Sequence, residues 1–122
     1  MDTKRILVID DDDLVRKSVQ SLLCKAGYNV TSASDAFKAI DEIKQQDFDL
    51  IVSDIRMPGK NGVECIREIR SIVKQHTQKD IPIIFITGYA DASEELKADL
   101  LGEVILKPFD LDHLLITVRE YL

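Results

Sequence analysis

Five short aliphatic runs, Ile6 to Ile9, Asn29 to Ser32, Leu50 to Ser53, Ile83 to Thr87 and Val104 to Leu106, alternate with longer segments whose apolar residues recur at helical spacing. That alternation constrains the fold more than any other feature, because a chain that repeats strand and helix must bury both periodicities against one another. The first, third and fourth runs are apolar on consecutive residues. A strand of that kind is covered on both faces, which predicts a parallel sheet with helices on either side. Right-handed crossovers then distribute the helices between the two faces, giving a doubly wound α/β fold.

The helical segments carry their own punctuation. Val15, Val19, Leu22, Leu23 and Ala26 form one apolar stripe, and Gly27 follows where a left-handed stop is expected. Ala36, Ile40 and Ile43 form a second stripe behind Asp35, an expected N-cap, and Val63, Ile66, Ile69 and Val73 form a third. A fourth, more polar helix is expected over about 92–100 with Leu96 and Leu100 as its apolar pair, and a fifth carries Leu111, Leu114, Leu115, Val118, Tyr121 and Leu122. The polar stretch from Lys74 to Asp80, KQHTQKD, reads as an extension and loop after the third helix.

With 122 residues the chain has the length of one domain, 1–122, and one core. The 22 acids exceed the 16 bases, for a net charge of −6. Such a field repels phosphate backbones, which argues against direct nucleic-acid binding and for a protein partner or a cation. Apolar runs fall short of the roughly 18 residues of a membrane span, and the start, MDTKRILVID, lacks a signal-peptide core. No membrane contact and a cytoplasmic location are therefore expected. Cys24 and Cys65 lie apart in helical segments without a CxxC pair, and both are expected to be small buried hydrophobes.

Ligands in doubly wound sheets bind beyond the carboxyl ends of the strands, where the winding reverses. The residues there are Asp10 and Asp11 after the first strand, Asp54 after the third, Thr87 ending the fourth and Lys107 after the fifth. Clustered carboxylates are mutually destabilising unless neutralised, and a hard divalent cation such as Mg²⁺ is the usual neutraliser. Mg²⁺ held by a few carboxylates suggests phosphoryl chemistry. In it Asp54 can attack phosphorus to give an acyl phosphate, while the Lys107 ammonium and Thr87 hydroxyl stabilise its oxygens. Each feature alone has an ordinary explanation: an acidic run is often a solvated helix start, as Asp12 and Asp13 are expected to be, and a strand-end Thr or a single Lys is commonplace. Their placement at successive strand ends gives the joint reading its weight.

The ordered set ILVIDD, DIRMPGKNG from Asp54 to Gly62, IIFITG through Thr87 and LKPF around Lys107 resembles the receiver domain of two-component response regulators over residues 4–122. The resemblance implies a flavodoxin-like sheet of strand order 2-1-3-4-5 with five helices, and a phosphorelay function. It also implies roles for individual residues: Asp54 as phosphoacceptor, Asp10 and Asp11 as the Mg²⁺-holding pair, Arg56 as donor of a backbone carbonyl to the metal, and Thr87 and Lys107 as partners of the phosphoryl group. Met57, Pro58 and Gly62 match the turn after the acceptor strand. A histidine kinase or phosphotransfer protein is the implied phosphodonor, an effector domain or protein the implied target, and a phosphorylation-linked homodimer is admitted. Such a domain catalyses its own phosphorylation and dephosphorylation and turns over no external substrate. Val104 departs from the family, which often has an aromatic residue there, and Arg56 and Tyr89 are expected to border the site and tune acyl-phosphate lifetime.

Two other readings compete. Asp11 to Val15, DDDLV, fits the DxDx[TV] signature of haloacid-dehalogenase-like phosphatases, which use an aspartate after the first strand as nucleophile, but that leaves Asp54 without a role. A receiver-like binding module that is never phosphorylated is the other. Nothing in the 122 residues identifies an output, so both a stand-alone receiver and a piece of a longer regulator or hybrid kinase remain open.

Overall fold

The computed structural model describes residues 3–54, 62–76, 81–87, 103–106 and 110–122. In chain order these form β1 (Arg5–Ile9), α1 (Asp13–Lys25), β2 (Asn29–Ala33), α2 (Ala36–Gln45), β3 (Leu50–Asp54), α3 (Gly62–His76), β4 (Ile83–Thr87), β5 (Glu103–Leu106) and α4 (Leu111–Tyr121). All neighbouring strands are parallel, in the order β2-β1-β3-β4-β5. The doubly wound sheet expected from the sequence is present, with four helices among the described residues. The further helix expected over 92–100 lies outside them.

Consecutive apolar residues in the central strands serve two cores, because successive side chains point to opposite faces. Ile6, Val8, Leu50, Val52, Ile84 and Ile86 pack with Val19 and Leu23 of α1 and Leu114 and Val118 of α4. Leu7, Ile9, Ile51, Ile83 and Phe85 pack on the other side with Ala36, Ala39, Ile40 and Ile43 of α2 and Ile69 of α3. Val104, where the family often carries an aromatic ring, is half-buried against this second cluster and pairs in register with Phe85. The side chains of Val63, Ile66 and Val73 lie outside the described set.

Local chemistry fixes the helix ends. Asp12 caps α1 by accepting from the Leu14 and Val15 amides at 2.9 and 3.2 Å, and Asp35 caps α2 by accepting from the Lys38 amide at 2.8 Å. Gly27, at φ 98°, ends α1: its N–H donates to the Cys24 carbonyl at 3.0 Å, and the Tyr28 N–H donates to the Leu23 carbonyl at 3.2 Å. That pair of bonds is the Schellman arrangement, which satisfies carbonyls the last turn would otherwise orphan.

Three expectations need correction or adjustment. Cys24 is exposed rather than buried, because it sits about 100° around the helix from Leu23 and so falls off the stripe that meets the sheet. Lys74, Gln75 and His76 continue α3. β2 extends through Ala33, whose carbonyl accepts from the Asp10 amide at 3.2 Å, so the β1–β2 pairing reaches the edge where the acidic run begins.

Candidate functional site

The order β2-β1-β3 places the reversal of winding between β1 and β3, so their carboxyl ends form the crevice in which an open sheet of this kind holds ligands. Ile9 pairs with Ser53, which brings the next residues of the two strands, Asp10 and Asp54, side by side. Asp54 pairs in turn with Ile86, immediately before Thr87, and Thr87 pairs with Leu106, immediately before Lys107. Backbone register alone thus gathers Asp10, Asp54 and Thr87 along one edge.

Carboxylate oxygens of Asp10, Asp11 and Asp54 all lie within 4.8 Å of one another. Asp10 is buried, Asp54 partly so and Asp11 exposed. Like charges about 4 Å apart near a protein surface repel by about 4 kcal/mol, so a triad of this kind suits a bound cation. Three hard oxygen donors gathered this closely suit Mg²⁺ by chemistry. The donor set therefore fits the metal that the sequence suggests.

The loop behind the triad is tightly tied. Asp10 accepts the Asp12 amide on Oδ1 at 2.9 Å, Asp12 caps α1, and Asp13 pairs with Arg16 Nη2. Arg16 Nη1 also donates to the Asp10 carbonyl at 2.9 Å. On β3, the Ser53 hydroxyl, fully buried, donates to the Asp54 carbonyl at 2.8 Å. The acidic run therefore divides as expected: Asp10 and Asp11 join Asp54, and Asp12 and Asp13 begin the helix. The phosphatase reading needs Asp11 and Asp13 to act together, whereas Asp13 engages Arg16 and Asp11 clusters with Asp54.

Thr87 ends β4 in the expected place, although its side chain lies outside the described set. Arg56, Met57, Pro58, Tyr89 and Lys107 also lie outside the described residues. Sequence reading passed over Arg16 and Ser53. The spacing of Asp13 and Arg16 by three helical positions is a signal that could have found the arginine; a serine inside an apolar strand gives no comparable signal.

The fold and its crevice of carboxylates define a class of doubly wound α/β proteins with a candidate cation site at the topological switch point. A family profile for the response regulator receiver domain matches residues 6–119, and the chain belongs to that family. Among curated relatives, the transcriptional regulatory protein FixJ of Bradyrhizobium diazoefficiens is 38% identical over 117 residues, which are 93% of this chain and 55% of that protein. The response regulator MprA of a Mycobacterium species is 38% identical over 97% of this chain and 50% of its own length. The chain thus spans about half the length of these relatives. Among solved structures, the chemotaxis protein CheY4 of Vibrio cholerae superimposes with a TM-score of 0.87 at 29% identity, covering 99% of this chain and 100% of that one. The response regulator TrrA of Thermotoga maritima, in complex with Mg²⁺ and BeF, gives 0.81 at 29% identity, covering 98% and 100%. This is a receiver domain homologous to those of two-component regulators, a regulatory family whose members interact with histidine kinases and effector domains. Among the described residues no helix is long and apolar enough to cross a membrane.

Proposed function

We propose that this domain is a phosphorylation-dependent switch in which Asp54 accepts a phosphoryl group from a partner histidine kinase or phosphotransfer protein. The observation that carries the reading is the gathering of Asp10, Asp11 and Asp54 oxygens within 4.8 Å at the switch point of a receiver-family sheet. Asp10 and Asp11, with the Asp54 carboxylate and the Arg56 backbone carbonyl, would hold Mg²⁺, whose charge offsets that of the phosphoryl oxygens. An Asp54 carboxylate oxygen attacks phosphorus, the bond from phosphorus to the donor nitrogen breaks, and the donor imidazole keeps that electron pair. Lys107 pairs with the transferred group, and Thr87 donates a hydrogen bond to it. Hydrolysis reverses the modification when water attacks the same phosphorus, so the domain resets itself without turning over an external substrate. That the homologous response regulator TrrA is found in complex with Mg²⁺ and BeF supports Mg²⁺ as the ion for this domain.

The whole reading is of one receiver domain over 1–122 acting in the cytoplasm, with an effector domain or protein as its target and a phosphorylation-linked homodimer as one means of output. Incubation with acetyl phosphate and Mg²⁺ should label the wild-type chain and leave Asp54→Ala unlabelled. Persistent labelling of Asp54→Ala would overturn the assignment of the acceptor. Arg56→Ala and Tyr89→Ala should change the lifetime of the acyl phosphate if these residues border it, and unchanged lifetimes in both would refute that role.

A further inference from the structure

Arg16 lies in the first turns of α1 with only 15% of its side chain exposed, beside a run of four aspartates. Its two terminal nitrogens reach different acceptors: Nη1 donates to the Asp10 backbone carbonyl at 2.9 Å, and Nη2 pairs with the Asp13 carboxylate. The carbonyl of Asp10 belongs to the same rigid plane as the amide nitrogen of Asp11. On the other side of Asp11, the amide of Asp12 donates to Asp10 Oδ1 at 2.9 Å. Both peptide groups flanking Asp11 are therefore tied, one by the guanidinium and one by the Asp10 carboxylate. The Asp11 side chain is exposed, so packing contributes little to its direction and the backbone must set it.

We propose that Arg16 is a positioning residue for the metal-binding carboxylates, holding the Asp10–Asp11 peptide so that the Asp11 carboxylate meets those of Asp10 and Asp54. This rests on the reading of the triad as a Mg²⁺ site. The guanidinium suits the task because its planar fork serves two acceptors at once, whereas a lysine ammonium is a single point charge on a flexible stem. A positive charge close to a cation site would by itself weaken Mg²⁺ binding, so positioning and charge make opposite predictions.

The test is calorimetric titration of MgCl₂ into the wild-type chain, Arg16→Lys and Arg16→Met, with urea unfolding to verify that each variant is folded. Positioning predicts that both variants bind Mg²⁺ more weakly, on the order of 10-fold, the loss usual when a group that orients a metal ligand is removed. It also predicts faster amide hydrogen exchange at Asp11 and Asp12 in both variants without metal. A role as charge alone predicts unchanged affinity in Arg16→Lys and tighter binding in Arg16→Met, and that result overturns the proposal. A loss of stability with unchanged affinity and unchanged exchange overturns it too, by reducing Arg16 to packing. If the wild-type chain takes up no Mg²⁺, the metal reading falls and this inference with it. Normal uptake by wild type and by both variants defeats this inference alone.

Discussion

Four consecutive aspartates do four different things in this chain, and the difference lies in which polar group each one meets. Asp10 is buried against the Asp12 amide, Asp11 is exposed within the triad, Asp12 caps α1 and Asp13 pairs with Arg16. The cap is the easiest of these to isolate. Asp12→Ala leaves two first-turn amides without their acceptor and should destabilise the fold by about 1 kcal/mol, whereas Asp12→Asn keeps a capping oxygen and should retain most of the stability. Urea unfolding measures both, and equal losses in the two variants would show that charge rather than capping matters there. At the far end of the chain, burial raises the Tyr121 phenol above its ordinary value of 10.0, with Glu103 and then Glu120 adding to the shift. A raised value favours the neutral phenol in the folded state, so the stabilisation is complete below pH 10 and is lost as pH climbs through the folded-state value. Tyr121 is 41% exposed, so the effect is small. Ultraviolet titration of wild type against Tyr121→Phe should show one phenol ionising late, and its alkaline loss of stability should be absent from the variant.

Elements were legible in the sequence wherever their ends are set by local chemistry. Asp12, Asp35 and Gly27 mark helix ends by hydrogen bonds to neighbours within a few residues, and each lies where the residue type predicts. Gly27 allows a direct measurement of what that local signal contributes. A Cβ at this position would meet nothing within 4 Å, so the cost of Gly27→Ala is backbone strain at φ 98° rather than a clash. It should be about 1 kcal/mol, read as a lower urea midpoint with an unchanged m-value; no change in midpoint would mean that the turn relaxes to another conformation. Signals that depend on tertiary partners were harder to read. The polar KQHTQKD at 74–80 reads as an extension and loop without showing where one passes into the other, and KQH completes α3, whose Ile69 and Ile72 face the core. Cys24 looked apolar enough to bury, but one helical step separates it from the stripe that touches the sheet. Ala33 has weak strand propensity, and its place in β2 comes from pairing with β1.

At the scale of the molecule, the sheet both builds the two cores and assembles the triad. Asp10 and Asp54 are 44 positions apart in sequence and adjacent only because β3 pairs with β1 rather than with β2. The alternation of strands and helices made that arrangement foreseeable, since a doubly wound sheet has a crevice at its reversal and the acidic residues follow the strands that flank it. The tether through Arg16 was not foreseeable from topology, because it depends on where one long side chain folds back. A site assembled from the ends of core strands should couple to global stability. If the triad holds Mg²⁺ as proposed, the ion binds the folded state and stabilises it, by about 2.7 kcal/mol when it is at 100 times its dissociation constant, whereas neighbouring like charges without the ion oppose folding. Asp11→Asn should therefore unfold at higher urea than the wild type in the presence of a chelator, because one of the like charges is gone. Adding Mg²⁺ should raise the wild-type midpoint well above that of the variant, so that the order of the two proteins reverses. If both respond to Mg²⁺ in parallel, or if neither responds, the ion does not bind at the triad and the cluster is only an acidic patch.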